Sequence, residues 1–478
     1  MQAALVLSLA ASAVAASKVS VRVDRFFESG TESTLKANFL VKFNVDIAAL
    51  EAGAKASTAP RQYVFDFLKE AAEKNEAKLA GVVPADATVT SLFIGGVASI
   101  SGVTKATLDA LTALNVVTYV DLNANDFSRP DVLQGSASTE EDVAATNEWG
   151  VDAVGAPEIW KYTTGQGVVV GSIDTGAINT HEAIKNNYRA ENVWFDPYNK
   201  MSAPWDSDGH GAHTIGTMVG SHGIGVVPGA KWIACMGLYQ KSGTGEALLQ
   251  CAQFMLCPSK PDGTGADCSK GPHVVNNSWL GLRRGVSSVV RSRGPKCGTM
   301  GVPGGYKTVI GVGAMGSFTN EKDKLAFFSS KGPQATNGPA YVKPDISAPG
   351  FFTRSVSHLN NTGYMHMAGT SMAAPHVAGV VALLKGVDVT LTYDAVYKYL
   401  TATTDQAGLH TTEPAFWQLR GNDTLPGSPN CGGVSDSEWP NNRFGHGHVN
   451  VVTILRDGKL NDNRRPTCEA LIDPAYRL

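Results

Sequence analysis

Charge, cysteine and long apolar runs are all scarce in this sequence of 478 residues, and each scarcity excludes a class of protein. The 40 Lys and Arg residues against 43 Asp and Glu give a formal net charge of −3, which argues against nucleic acid or an anionic membrane as the main partner. The N-terminal third contains no cysteine, and no cysteine spacing matches a zinc ribbon or finger, so no structural metal is expected.

Only the first residues form a long apolar run. Residues 1–16, MQAALVLSLAASAVAA, end in small residues with A-x-A spacing, which is typical of a secretory signal peptide, although a buried helix is the alternative. No later uninterrupted apolar run reaches about 18 residues, so no membrane span is predicted. The length of the chain predicts two or more domains, and the leader predicts a secreted, extracellular protein.

The cysteines predict disulfides. In an oxidising compartment an odd number would pair and leave one thiol over, and a Cys257–Cys268 pair would close a short loop. The remaining pairing cannot be read from the sequence. The seven residues are Cys235, Cys251, Cys257, Cys268, Cys297, Cys431 and Cys468.

A compact cysteine-free unit is predicted over residues 35–122, within a first domain at 17–122. NFLVKFNV alternates like a strand, and residues 61–79 carry one apolar helical face. ATVTSLFI and VASISGV read as a hairpin, residues 105–114 as a second helix, and VVTYVDL as a last strand. The order β-α-β-β-α-β predicts an α+β, ferredoxin-like domain.

A change of composition separates this unit from the rest of the chain. Residues 123–147 are polar and acidic and predict a linker open to proteolytic nicking. Short apolar runs such as GVVVGSID, KWIACMGL, HVVNNSW and TVIGVGAM then predict strands buried on both faces, with helices between them. Residues 148–456 are therefore predicted to form an α/β domain with a parallel sheet, and residues 457–478 a polar tail.

The stretch GVVVGSIDTG places Asp174 directly after an apolar strand. Ligand sites on open α/β sheets lie at the carboxyl ends of strands, although a plain turn aspartate is the alternative. DTG is also the aspartic-protease signature, but that mechanism needs two carboxylates that share a proton, and this is the only DTG in the chain.

The stretch DSDGHGAHTIGTMVG sets His210 and His213 three residues apart. As metal ligands they would need a third ligand and an open position, and the chain contains no HExxH. The glycines suit close backbone approach better than a ligand-bearing helix. For general-base chemistry one histidine suffices, with a carboxylate to hold its tautomer and a nucleophile to deprotonate. Both readings stay open on these residues alone.

The stretch MAGTSMAAPHVAGVVALL places Ser371 at the start of an apolar helix. A serine there can simply be a cap. Its hydroxyl would also lie where backbone N–H groups and the helix dipole stabilise a developing oxyanion. Pro375 is expected in the first turn, where a missing N–H costs little.

Together the three stretches resemble the Asp, His and Ser boxes of the subtilisin-like serine protease (subtilase) family, in its Asp…His…Ser order. NNSW, GPKCGT and PNNRFGHGHVNV are similar to the bacillopeptidase-F-like branch. The resemblance covers residues 148–456 and implies a subtilisin-like α/β fold with a mainly parallel sheet flanked by helices. Residues 35–122 resemble the family's inhibitory propeptide.

The resemblance implies a role for each matched residue. Ser371 would be the nucleophile, His210 the general base and Asp174 the residue that holds the histidine tautomer, with His213 a structural neighbour and no metal. HGAH departs from the family's HGTH at Ala212, a small change that should not abolish chemistry. Two edge segments would pair with an extended substrate peptide: Ser278, Trp279 and Leu280, and Gly243, Thr244 and Gly245.

The sequence departs from the family after NNSW. There the family has a helix and then a strand that ends in Ala-Gly-Asn, whose asparagine donates to the oxyanion; here only residues 280–293 separate Trp279 from Gly294, and the chain has no Ala-Gly-Asn. Ser292 or Arg293 falls where the asparagine should be. The Ser371 N–H and the Thr370 hydroxyl would remain as donors, and losing one donor costs about 10²–10³ in rate, as in subtilisin itself.

Losing the helix and the strand would also open the sheet beside the specificity pocket. Two explanations follow: a truncated gene model that lacks an exon-sized piece, or a degraded homologue. The intact boxes favour the first. Asn276 and Asn277 belong to the NNSW stretch and are not assigned to the oxyanion role.

The resemblance further implies a zymogen whose propeptide is cut between residues 123 and 147. No cofactor is expected; subtilases often bind calcium, but GTMVGSHGIGVVPGA lacks the carboxylates of a calcium loop. The expected partners are protein or peptide substrates and the chain's own propeptide, for a monomer. Of three glycosylation sequons, Asn276 lies in a predicted buried strand, and Asn360 and Asn422 are better candidates.

Three functions compete on this evidence. The first is a secreted serine endopeptidase that works through an acyl-enzyme. The second is a catalytically impaired subtilase homologue that binds peptides without efficient turnover. The third is a metal-dependent hydrolase that uses His210 and His213, and it predicts sensitivity to chelators.

Overall fold

The computed structural model describes residues 17–29, 35–138, 146–281, 294–335, 338–419 and 423–456. The predicted signal peptide, the segment that contains Ser292 and Arg293, the sequon at Asn422 and the predicted tail with Cys468 lie outside the described residues. The predictions for those parts of the chain stay predictions.

Eleven α-helices lie in the described residues. In chain order α1–α11 are Val21–Glu28, Ile47–Ala56, Pro60–Glu76, Lys105–Ala113, Trp149–Ala153, Ala156–Ile159, His210–Val219, Gly245–Leu256, Thr370–Val387, Tyr393–Ala402 and Val451–Arg456.

Eighteen strands lie in the same ranges. In chain order β1–β18 are Ala37–Phe43, Val89–Leu92, Val97–Val103, Val117–Leu122, Phe127–Ser128, Leu133–Ser138, Val169–Asp174, Trp194–Phe195, Lys231–Met236, Ser242–Gly243, Val274–Asn277, Leu280–Gly281, Val312–Met315, Ile346–Pro349, Thr353–Val356, Tyr364–Ala368, Phe416–Gln418 and Thr424–Pro426.

The N-terminal unit is an antiparallel sheet in the order β2-β3-β1-β4, covered by helices. This is the arrangement that the β-α-β-β-α-β pattern predicts. Alternate residues of β1 are buried, and Phe39 and Val41 lie in a core shared with Val103 and Leu111. Two helices, α1 and α2, were not predicted from the sequence, and each is capped by a side chain: Ser20 for α1 and Asp46 for α2.

The larger domain contains a parallel sheet in the order β11-β7-β9-β8. Its strands are the apolar runs of the sequence, and nearly every residue of β7 and β9 is buried, as expected of a sheet with helices on both faces. Helices α7 and α9 pack against each other and against the sheets. Among the described residues α9 is long and apolar enough to cross a membrane, but 72% of that stretch is buried inside the molecule, as in a core helix.

The parallel sheet is interrupted after β11. Strands β13 and β14 form a separate parallel pair, and in the described part of the chain no ladder joins β13 to β11. Helix α9 packs against both β11 and β13, so one helix spans the two pieces. The break falls where the sequence lacks the family's helix and strand.

The N-terminal unit is docked on the larger domain. Arg61 donates to the carbonyl of Pro272 at 2.9 Å, and the carboxylate of Glu246 accepts from Ser99 at 2.8 Å and from Asn123 at 2.7 Å. An apolar cluster, which includes Leu68 and Leu92 from the unit and Leu249 and Leu256 from α8, fills the space between the two parts.

Residues 123–138 are not a free linker, and that expectation is wrong for this part of 123–147. The segment contributes β5 and β6, which are hydrogen-bonded to strands of the larger domain. Its polar composition hid this, because strand pairing uses backbone N–H and C=O groups that every residue here except Pro130 supplies in full. Residues 139–145 lie outside the described residues, and a processing site there stays a prediction.

Three disulfides form among the described cysteines: Cys235–Cys251, Cys257–Cys268 and Cys297–Cys431. The predicted Cys257–Cys268 pair is confirmed. The pairing accounts for six of the seven cysteines.

Candidate active site

A buried carboxylate and a buried imidazole meet at the carboxyl edge of the parallel sheet. Asp174 ends β7, and its Oδ1 atom lies 2.7 Å from Nδ1 of His210. Both side chains have no solvent-exposed surface. The same Oδ1 accepts the N–H of Thr175 at 2.7 Å, which orients the carboxylate. With Nδ1–H donated to Asp174, Nε2 of His210 is the nitrogen that can accept a proton.

His210 is the first residue of α7, and two glycines let the helix begin there. Gly209 has a φ of 90°, and a Cβ on it would lie 2.0 Å from the His358 ring. A Cβ on Gly211 would lie 2.1 Å from the carbonyl oxygen of Gly176, next to the strand that carries Asp174. Both glycines therefore stand where another part of the chain approaches closely, as the sequence predicts. Close approach and a helix that carries the two histidines stand as alternatives in the sequence, and the structure shows both features.

Asp206 holds the loop that leads into α7. Its carboxylate accepts the N–H groups of Gly209 at 2.8 Å and Ala212 at 2.7 Å, together with the Thr175 hydroxyl at 2.8 Å. This one side chain satisfies N–H groups at the helix start that have no partner within the helix.

His213 turns away from Asp174 into the protein interior. Its Nε2 lies 3.1 Å from the carbonyl oxygen of Thr353 and 3.2 Å from that of Met365, so this nitrogen carries the hydrogen. Burial, assisted by the neighbouring His210, lowers its pKa to about 3, and the ring is neutral at physiological pH.

Ser371 is the second residue of α9 and is 2% exposed. Its hydroxyl donates to the carbonyl of Ser278 at 3.2 Å. Nε2 of His210 has no hydrogen-bond partner among the described residues. Asp174 and His210 are thus hydrogen-bonded to each other, while the Ser371 hydroxyl is hydrogen-bonded to Ser278 and not to His210. A bond between nucleophile and base often closes only when substrate binds.

Pro375 lies in the second turn of α9, so the expectation that it falls in the first turn is wrong. The helix begins at Thr370, and the missing N–H of Pro375 is the one that would bond to the Ser371 carbonyl. The hydroxyl of Ser278 donates to that carbonyl instead, at 3.0 Å, and Asn276 donates to Ser278 at 3.0 Å. Asn276 is buried, as predicted.

A strand of the chain itself lies in the cleft beside this site. Strand β5 runs antiparallel between β10 and β12: Phe127 pairs with Gly243 and Gly281, and Ser128 with Ser242 and Leu280. The N–H of Arg129 extends the pairing to the carbonyl of Lys241 at 3.1 Å.

The same segment continues along the other side of Ser371. A Cβ on Gly369 would lie 3.1 Å from a methyl group of Val132. Strand β6 then pairs with β16, with Leu133 opposite Ala368. Strands β5 and β6 therefore lie on two sides of the start of α9. We call residues 127–138, the segment that contains both strands, the cleft strand.

Phe127 of the cleft strand lines an apolar pocket. Its ring meets that of Trp279 edge-on at 5.6 Å between centroids. The pocket is lined by Phe127, Ile173, Leu248, Leu249, Trp279 and Tyr306, among others.

The six residues predicted to form the substrate edges divide into two groups. Gly243 and Leu280 pair with the cleft strand, Trp279 contacts Phe127, and Ser278 bonds Ser371. Thr244 and Gly245 lie beyond the pairing, because Thr244 caps α8 by accepting the N–H of Ala247 and Gly245 is the first residue of that helix. The paired edge is Ser242–Gly243.

Comparison of the chain with known proteins identifies its family. The subtilase family profile matches residues 165–447, more than half of the chain.

The chain belongs to the subtilase family.

It is similar to Bacillopeptidase F of Bacillus subtilis strain 168, with 34% identity over 354 residues, 65% of this chain and 22% of that protein. It is similar to Minor extracellular protease Epr of the same strain, with 30% identity over 291 residues, 58% of this chain and 40% of that protein. The chain therefore spans less than half the length of either relative.

A solved structure supports the subtilisin-like fold. Fervidolysin from Fervidobacterium pennivorans, described as a keratinolytic enzyme related to subtilisin, superposes with a TM-score of 0.55 at 17% identity, over 88% of this chain and 61% of that one. At this identity the likeness concerns the fold alone.

The two predicted oxyanion donors lie at the start of α9. The N–H of Ser371 is in the first turn, where no carbonyl of the same helix can accept it, and half-buried Thr370 precedes it. The segment in which the family asparagine is missing lies outside the described residues. Among those described, no group of three or more His, Cys, Asp or Glu side chains could hold a metal ion.

Sequence reasoning missed three residues of this site. Asp206 and Asp208 stand in the same DSDGH stretch as His210, and acidic residues close to a helix N-terminus, which the helix dipole favours, are the signal that could have revealed them. Arg129 bonds Asp208 across 79 positions of the sequence, and no local pattern signals such a contact.

Proposed function

We propose that this subtilase is a serine endopeptidase. The observation that carries the proposal is the buried Asp174–His210 pair, 2.7 Å apart. His210 begins α7, and α7 packs against α9, whose second residue is Ser371. A carboxylate that fixes the tautomer of a histidine, together with a serine at a helix N-terminus, is the equipment for acyl transfer.

In this mechanism the Ser371 oxygen attacks the carbonyl carbon of the peptide bond while Nε2 of His210 takes the hydroxyl proton. The C–N bond then breaks, His210 gives that proton to the leaving amine, and an acyl-enzyme remains. Water, deprotonated by the same nitrogen, hydrolyses the ester and restores the serine. The Ser371 N–H and the dipole of α9 stabilise the negative charge on the carbonyl oxygen.

We further propose that the chain is secreted as a zymogen. The apolar leader at residues 1–16 supports secretion, as does the similarity to a relative named as an extracellular protease, Epr. The N-terminal unit and the cleft strand, docked on the peptidase domain, support the zymogen. Cutting the chain after the cleft strand would let the strand leave the cleft and admit substrate.

A second candidate is a subtilase that binds peptides with little turnover. It is favoured by the hydroxyl of Ser371, which donates to Ser278 and not to His210, and by the absence of a ladder between β11 and β13 in the described residues.

The experiment is labelling of the purified, secreted protein with a fluorophosphonate probe, with Ser371→Ala as the control. Labelling that disappears in the control is expected for an activated nucleophile, and labelling that persists with a chelator excludes the metal-dependent alternative. Unlabelled protein that is folded by circular dichroism, and that also fails to hydrolyse a quenched peptide, would support the second candidate.

A further inference from the structure

The cleft strand makes one buried ionic contact with the peptidase domain, next to the candidate general base. Nε of Arg129 lies 2.5 Å from Oδ2 of Asp208, and Nη2 lies 3.1 Å from Oδ1. The side chains of Arg129 and Asp208 are 6% and 13% exposed. A two-pronged guanidinium–carboxylate contact is selective for arginine, because lysine cannot reproduce its planar geometry.

The carboxylate belongs to a rigid part of the site. Asp208 lies two residues before His210, and its own N–H donates to Asp206 at 3.1 Å, within the loop that Asp206 holds. This bond holds the backbone of Asp208 within the larger domain, and Arg129 bonds both of its carboxylate oxygens.

The guanidinium reaches this carboxylate from the place that a bound peptide would occupy. Strand β5 pairs with both edges of the cleft, and the Arg129 N–H continues that pairing at Lys241. Residues two apart on a strand share a face, so Arg129 lies on the same face of the strand as Phe127, whose ring lines the apolar pocket. An extended peptide in this register would present its own side chain to Asp208.

We propose that Asp208 is a specificity residue that selects arginine in substrate peptides, at the position that Arg129 fills in the cleft strand. This inference rests on the proposed peptidase function. A buried carboxylate left without a partner is costly, so a peptide with a neutral or acidic side chain there would bind and react more poorly. The order of preference is Arg, then Lys, then Gln, with Glu last.

The test uses the full chain with Phe127→Ala and Arg129→Gln, which weaken the hold of the cleft strand on its own cleft. Quenched peptides based on residues 125–132, NDFSRPDV, are compared with Arg, Lys, Gln or Glu at the position of Arg129. Residual competition by the cleft strand lowers every rate equally and cancels in the ratio of kcat/KM values. We expect the Arg peptide to exceed the Gln peptide by about tenfold or more, since charge-assisted hydrogen bonds carry that much discrimination.

Adding Asp208→Asn should bring that ratio close to one, and Asp262→Asn, at an exposed aspartate far along the chain, should leave it unchanged. A ratio near one before Asp208 is changed, or a ratio that Asp208→Asn does not alter, would mean that the ion pair only clamps the N-terminal unit and would overturn the proposal.

Failure of the proposed function is read separately, by fluorophosphonate labelling of the same proteins. If Ser371 is not labelled, fluorescence anisotropy of dye-labelled Arg and Gln peptides measures the same preference as a ratio of Kd values. The same tenfold difference and its loss in Asp208→Asn are expected, and equal Kd values would overturn the inference without any need for turnover.

Discussion

At the scale of single residues, the position of His210 depends on a side chain that takes no part in proton transfer. Asp206 joins the helix start to the loop after Asp174 through the N–H groups of Gly209 and Ala212 and the hydroxyl of Thr175. A general base is effective only when its nitrogen is held within hydrogen-bond reach of the nucleophile, so in the proposed mechanism this loop positions the base.

We therefore predict that Asp206→Ala lowers kcat/KM by about 10- to 100-fold, because four donors lose a shared acceptor and the histidine loses its fixed position. The measurement is hydrolysis of a quenched peptide, with protein folding checked by circular dichroism. Asp206→Asn retains one carbonyl oxygen as an acceptor, so its kcat/KM should lie between those of the wild type and Asp206→Ala. An Asp206→Ala enzyme with wild-type kcat/KM would contradict this positioning role.

Local features single out Asp174, His210 and Ser371, which follow an apolar strand, stand among glycines and open a helix, but the resemblance of their stretches to the family's boxes is what predicts them as site residues. The role of Arg129 could not be predicted, because it depends on an ion pair with Asp208, which lies far away in the sequence and is brought near only by the fold. Thr244 caps α8 and Gly245 begins it, outside the strand pairing, and their predicted place at the substrate edge stays a prediction, because a capping threonine and an edge residue look alike in sequence.

At the scale of elements, α9 lacks one of its internal hydrogen bonds, and a residue outside the helix supplies the missing donor. Pro375 cannot donate to the Ser371 carbonyl, and the hydroxyl of Ser278, just after β11, does so at 3.0 Å. The start of the helix that carries the candidate nucleophile is thereby tied to the cleft edge.

We predict that Ser278→Ala destabilises the protein by about 1–3 kcal/mol, because it leaves a buried carbonyl unsatisfied. In a Pro375→Ala background the new N–H can bond to that carbonyl, so the same change should cost less. Urea unfolding of the four proteins of this double-mutant cycle, in a Ser371→Ala background that prevents self-cleavage, measures the coupling. Equal costs of Ser278→Ala in the two backgrounds would mean that the proline and the hydroxyl are independent.

Elements with a side-chain pattern were predictable, and elements made by backbone pairing alone were not. Strands β3, β7 and β9 lie within the predicted strand runs, and β1 begins one residue before its run. Strands β5 and β6 have no such pattern; they exist because neighbouring edges offer unpaired N–H and C=O groups.

At the scale of the whole molecule, three buried histidines link stability to pH. Burial is the main reason that the pKa is lowered to about 3 for His213 and to about 4 for His376 and His448. Each is neutral in the folded protein at pH 5, whereas the same histidine in the unfolded chain, with a pKa of about 6.5, binds a proton. The unfolded state then holds more protons, so stability is full above pH 6.5 and falls as the pH drops.

We predict a loss of about 2 kcal/mol per histidine between pH 7.5 and pH 5, seen as a lower urea midpoint of the Ser371→Ala protein. Replacing one of these histidines, in His376→Gln, should reduce the change in the free energy of unfolding between the two pH values by the contribution of one histidine. The exposed His222, changed to Gln, is the control and should leave the dependence unaltered. Equal pH dependence in the His376→Gln and His222→Gln proteins would show that His376 takes up a proton without unfolding.

The arrangement of the two folded parts could be predicted only in outline. The sequence separates an α+β unit from an α/β domain, because their periodicities differ. The docking contacts of Arg61 and Glu246 join residues that lie more than a hundred positions apart, so only the structure reveals them.

The cleft strand has a consequence for how occupancy of the site responds to concentration. Because the strand and the cleft belong to one chain, the strand is present at an effective concentration of roughly millimolar, whatever the amount of protein in solution. Diluting the protein cannot empty the cleft, and a free peptide must compete against that local excess. A single cut in the chain turns the strand into an ordinary dissociable ligand, so its release would then depend on concentration for the first time.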